Sequence, residues 1–162
     1  MNRHQKSQEG FSLIELLIVV AIIMVIASIS IPNLLRSKMS ANEAGAVEAL
    51  RTLNSTSVIY ATTYGGYPHK LSDLGPAAGS STPSSSAADL VDSALATGIK
   101  SGYQFTYSVV SSDAGGYVVS YAVTANPVTV GVTGQRYFFT DDSGTIRFNN
   151  GGPANSTSTP LG

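Results

Sequence analysis

Residues 11–31, FSLIELLIVVAIIMVIASISI, hold a single charged side chain, Glu15, and three serines in an otherwise apolar run. Wound as a helix at 1.5 Å per residue, such a run spans ~31 Å, the thickness of a bilayer core. The ten residues before it, MNRHQKSQEG, are polar and carry Arg3, His4 and Lys6; Pro32, Arg36 and Lys38 follow it. A removable secretory signal is a poor reading, because the run exceeds the usual 7–15 apolar residues and needs no carboxylate inside it. A plain single-pass anchor is possible by length. It leaves Glu15 unexplained, since a carboxylate near the bilayer centre costs roughly 2.5–3.5 kcal/mol and such residues usually have a partner.

Past Pro32 the pattern turns amphipathic. Leu35, Met39, Val47, Leu50, Leu53 and Ala61 recur at helical spacing, with Glu43, Glu48, Arg51 and Asn54 assigned to the remaining faces. Gly65-Gly66 supplies the stop. One helix is therefore expected over 11–64, ~80 Å long, bent or loosened at Pro32 where a backbone donor is missing. Residues 65–86, with SSTPSSS among them, read as loop. Ala87–Thr97 reads as a short helix, with Ser86 as N-cap, Asp89 in the first turn and Gly98 at its end.

From residue 103 the period becomes two. Tyr103, Phe105, Tyr107 and Val109 form one apolar face, and Tyr117, Val119, Tyr121 and Val123 the next. Arg136–Thr140 and Thr145–Asn149 form a second hairpin around Asp141-Asp142-Ser143-Gly144. The last residues, 150–162, have no core-forming pattern and are expected to be a loose tail. The fold class is α+β: a long N-terminal helix packed on a four-stranded antiparallel sheet, each covering the other's apolar face.

The string Gly10-Phe11-Ser12-Leu13-Ile14-Glu15-Leu16-Leu17-Ile18-Val19-Val20-Ala21-Ile22-Ile23, with Pro32 beyond it, closely resembles the N-terminus of type IV prepilins and type II secretion pseudopilins. Gly65-Gly66-Tyr67-Pro68 loosely resembles the matching region of major pseudopilins. The resemblance implies a leader, 1–10, cut by a membrane peptidase between Gly10 and Phe11, and N-methylation of the new Phe11 amine. It implies a hydrophobic assembly helix (11–32), its amphipathic continuation (33–64), a head (65–149) and the tail (150–162). Glu15 would neutralise the Phe11 amine of a neighbouring subunit, and Pro32 would mark where the stem bends during packing. Polymerisation would relieve the cost of burying Glu15, and a repeated heterologous contact gives an open helical filament. Where the family often has Lys or Arg beside the cleavage Gly, this chain has Glu9.

The implied partners are further copies of the chain, the peptidase and methyltransferase, the inner membrane and an assembly platform. The precursor would sit in the bacterial inner membrane before joining a surface pilus. The alternative is a periplasmic type II secretion pseudopilus, and a third reading is a membrane-anchored binding head that never polymerises. The resembled major pseudopilins hold calcium in a late loop, which makes Asp141 and Asp142 candidate ligands, joined by Asp113 only if the two hairpin turns converge; a tight turn explains the same residues. No cofactor is expected. With no Cys, only His4 and His69, and 9 basic against 10 acidic side chains, the sequence excludes disulfides and Cys-ligated metals. It offers no basic surface for nucleic acid. No nucleophile motif or phosphate-binding loop is present, so no enzymatic activity is expected. The alternating tyrosines and phenylalanines read as core rather than as an electron-transfer path.

Overall fold

A computed structural model of the protein describes residues 10–77, 79 and 82–161. Arg3, Lys6 and Glu9 of the expected leader, and part of the serine-rich loop, lie outside the described residues. The chain divides into two compact units, Met1–Ser37 and Lys38–Gly162. Helix α1 covers Leu13–Tyr64, starting two residues later than expected, and its helical assignment is unbroken across Pro32.

In the first unit no described residue is buried. An 18-residue window of α1 has a mean hydropathy of 2.9 with none of its residues buried. That is the inverse of a folded core, and such a surface requires lipid or other apolar chains to cover it.

The second unit holds the core. Here α1 contributes Ala46, Val47, Leu50, Leu53 and Tyr60. Fully burying Leu50 and Leu53 stabilises by about 1.5–3 kcal/mol each. A 3₁₀ turn, Leu71–Leu74, and a short helix α2, Ser93–Ala96, precede the sheet. The strands are β1 Ile99–Lys100, β2 Tyr103–Ser112, β3 Val118–Pro127, β4 Tyr137–Asp141, β5 Arg147–Asn149 and β6 Thr159–Pro160. They form one antiparallel sheet in sequence order, β1 to β6. Tyr103, Phe105, Tyr121, Val123, Ala125 and Phe138 face the core from it.

Six strands replace the four expected. The additional two are two-residue edge strands, too short to show an alternating pattern. One of them, β6, lies in the segment expected to be a loose tail. There Leu161 N–H donates to the Ile146 carbonyl (2.8 Å), Arg147 Nη1 donates to the Ser158 carbonyl (3.1 Å), and Ala154 is buried.

The helix expected over Ala87–Thr97 shrinks to one turn. Ala88 N–H donates to Asp73, and Leu90 and Val91 N–H donate to the Leu74 carbonyl. Bonds to the 3₁₀ turn thus replace helical ones. The N-cap is Asp92, accepting from Leu95 N–H at 2.9 Å, rather than Ser86. Asp89 lies outside the helix with φ +55°.

In β3 the expected face holds for Tyr121 and Val123 but not for Tyr117 and Val119, which are exposed while Val118 is buried. Register shifts at Ser111 and Ser112 insert bulges opposite Ser120 and Val118, and a bulge reverses the alternation.

Close packing makes one glycine in the loop before β4 demanding. A Cβ at Gly134 would collide with the Tyr103 hydroxyl and lie 2.7 Å from its ring carbon Cζ. Tyr103 is fully buried and its hydroxyl donates to the Arg136 carbonyl at 2.8 Å, so it cannot move aside without losing that bond. Gly134→Ala is expected to destabilise the second unit by about 1–3 kcal/mol, read as a lowered near-ultraviolet melting temperature of the tyrosine signal.

Candidate functional site

The N-terminal segment contains the sequence-predicted residues Gly10, Phe11 and Glu15 on adjacent positions of one exposed stretch. Gly10 is exposed and a Cβ there would meet nothing within 4 Å. This chain's own packing therefore places no demand for glycine at that position. A requirement for it has to come from something that binds the segment. Phe11 is 85% exposed.

Ser12 ends the non-helical segment. Its carbonyl accepts from Leu16 N–H at 3.2 Å, the first helical bond. Its own N–H donates to Glu15 Oε2 at 2.9 Å. This is half of a capping box, with Ser12 at the N-cap and Glu15 three residues on, and it supplies an acceptor to an amide that the helix cannot satisfy. A carboxylate here also opposes the positive end of the helix dipole. The pattern Ser-x-x-Glu before an apolar run is a local capping signal in the sequence itself. Glu15 thus has an acceptor role within its own chain, while its negative charge finds no cation among the described residues. Pro32 lies farther along α1, also in the first unit.

Glu43, outside the apolar stripe of the helical pattern, is buried in the second unit. Its Oε1 accepts from Gln135 N–H (2.9 Å) and Arg136 N–H (3.2 Å), and its Oε2 accepts from Arg136 Nε (2.7 Å). Helical periodicity alone could not reveal partners supplied from a loop ninety residues away. Asn54, likewise outside that stripe, bonds Thr140 Oγ1 at 2.9 Å and the Gly144 carbonyl at 3.1 Å.

Asp141 and Asp142 serve the β4–β5 turn. Asp141 Oδ1 accepts from Ser143 N–H, at 3.1 Å, and from the Ser143 hydroxyl. Asp142 Oδ1 accepts from the Ser120 hydroxyl at 3.0 Å. Asp113, in the β2–β3 turn, caps its own loop through Gly115 and Tyr117 N–H. A calcium ion needs six to eight oxygens. Among the described residues no three acidic or histidine side chains gather to supply them. The two aspartates, engaged in turn bonds, do not fit the ion.

Residues 5–31 match the family model described as the prokaryotic N-terminal methylation motif. The chain is 34% identical over 71 residues to the Type II secretion system core protein G of Dickeya chrysanthemi; the match covers 44% of this chain and 46% of that protein, so the chain spans about half the length of the curated relative it matches. No solved structure matches. An exposed apolar helix headed by this motif, together with the likeness to a secretion core protein, makes the chain similar at its N-terminal end to type IV prepilins and type II secretion pseudopilins.

Proposed function

We propose that the chain is a structural subunit that polymerises through its first unit into a helical filament, in the first instance a type IV pilus. One observation carries the reading: no residue of the apolar run 11–31 is buried, yet the run holds a carboxylate whose charge lacks a counter-ion among the described residues. Lipid alone covers the apolar surface but leaves Glu15 costly. Packed copies cover the surface and bring the amine of a neighbouring Phe11. The peptidase would cut between Gly10 and Phe11, creating that amine, and methylation would follow. Residues 1–10 are then leader, 11–32 the assembly helix with Pro32 its point of bending, and 33–64 the segment that joins it to the head over 65–149.

The likeness to a type II secretion core protein favours a second reading, a periplasmic pseudopilus. Both begin from a precursor anchored in the inner membrane. Mass spectrometry of material sheared from native cells separates them. An abundant peptide starting at N-methylated Phe11 in the sheared fraction is the expected result for a pilus. The same peptide confined to the membrane fraction assigns the chain to a pseudopilus. Residues 1–10 retained on all copies would overturn both and leave an uncleaved anchor with a binding head.

A further inference from the structure

We propose that a tyrosine-lined pocket in the second unit binds a neutral sugar ring, a role independent of filament assembly. The pocket has a volume of about 410 Å³, within the range of small-molecule sites. Tyr60, Tyr64, Tyr67 and Tyr117 line it, and among the described residues no Asp, Glu, Lys or Arg does. Most aromatic side chains of this unit point into the core, whereas Tyr117 is 52% exposed at the pocket wall.

Tyr117 is nevertheless held firmly. Asp113 Oδ1 accepts from Gly115 N–H and from Tyr117 N–H, both at 2.9 Å. The next residue, Val118, accepts from Tyr67 N–H at 2.8 Å. Glycines make the room: a Cβ at Gly66 would stand 3.0 Å from Tyr117 Cβ and 3.1 Å from the Val118 carbonyl, and one at Gly115 would stand 3.3 Å from the tyrosine ring. A tyrosine serving only as solvated surface needs no such cradle. Tyr64 packs on the buried Tyr60, their ring centres 4.7 Å apart and tilted by 47°, and the Tyr60 hydroxyl donates to the Ser85 carbonyl, which holds this wall in place. Ring faces fixed before a ligand arrives lower the ordering cost of binding.

The lining selects the ligand. A pyranose presents an apolar C–H face, which stacks on a tyrosine ring, and a rim of hydroxyls. Ser85, His69 and the glycine backbone give those hydroxyls polar partners. A quaternary ammonium would use the rings but has no use for the polar wall, and an anion finds no lysine or arginine.

The test is saturation-transfer difference NMR on the full chain in phosphatidylcholine nanodiscs, which carry no sugar headgroups. Maltotriose, cellotriose and triacetylchitotriose are the sugar probes and choline the control. Transfer to the ring protons of at least one sugar is expected, with affinity reduced about tenfold in Tyr117→Ala and retained within about twofold in Tyr117→Phe, which keeps the ring. Tyr117 lies outside the core, so the fold should survive; Tyr64→Ala provides a second variant. Absence of transfer from all three sugars, transfer to choline alone, or binding indifferent to both alanine variants would overturn the proposal.

Discussion

Glu15→Ala is expected to remain in the membrane while filament yield falls about tenfold or more. Two opposite charges 4 Å apart attract by about 4 kcal/mol at the effective dielectric typical of protein sites, and each 1.4 kcal/mol is a tenfold change in an association constant. The alanine removes an intramembrane charge, so insertion becomes easier rather than harder. It also removes the acceptor for Ser12 N–H, which lies 2.9 Å from Glu15 Oε2. A lost cap costs about 0.5–2 kcal/mol of helix stability, and that alone could impair assembly. Glu15→Gln separates the two effects, because the amide keeps an oxygen for Ser12 but has no charge to offer a neighbouring amine. Quantifying sheared filaments against membrane-bound subunit, both variants should fail together. Normal filaments in Glu15→Gln would sink the inter-subunit pairing and leave Glu15 as a cap. Normal filaments in Glu15→Ala would sink both roles.

The legible parts of this chain were those written in long runs. The apolar stretch, the helix to Tyr64 and the two hairpins each repeat a period over enough residues to exceed noise, and α1, β2, β3, β4 and β5 follow them closely. What escaped was decided by contacts distant in sequence. Glu43 carries no sign in its neighbours that Gln135 and Arg136 will turn their donors toward it. Residues 88–91, Ala-Asp-Leu-Val, contain no helix breaker, yet their amides are drawn to the carbonyls of Asp73, Leu74 and Gly75. The β3 alternation was read one phase out at its start because a bulge is a property of two paired strands. At the candidate site the local signal Ser12-x-x-Glu15 is legible in the sequence as a cap, whereas any partner from another chain lies outside it.

Glu43→Ala should destabilise the second unit by about 3 kcal/mol. The carboxylate takes three donors, two of them backbone amides at the entrance to β4, and truncating one partner of a buried, hydrogen-bonded ion pair leaves the others unpaired. The effect would spread. Arg136 also offers its carbonyl to the Tyr103 hydroxyl, and its guanidinium lies 5.5 Å from the Phe138 ring centre and 5.7 Å from that of Phe148. Arg136→Ala should cost less, about 1–2 kcal/mol, because the two backbone amides still satisfy Glu43. A double-mutant cycle measures the coupling directly. Acid should reproduce part of the loss. Glu43 lies well beyond the apolar run that ends before Pro32. Burial there pushes its carboxyl upward, but the hydrogen bonds from Gln135 and Arg136 and the guanidinium charge outweigh burial and hold it below its ordinary value of 4.5. A depressed carboxyl contributes stability that is fully present above the unfolded value and is lost as pH falls through the folded one. Wild-type melting temperature, followed by the tyrosine near-ultraviolet signal, should therefore decline once pH drops below about 4.5, and Glu43→Gln should show a smaller decline over the same window. Equal acid sensitivity in the two proteins would mean that Glu43 is not the group through which acid acts.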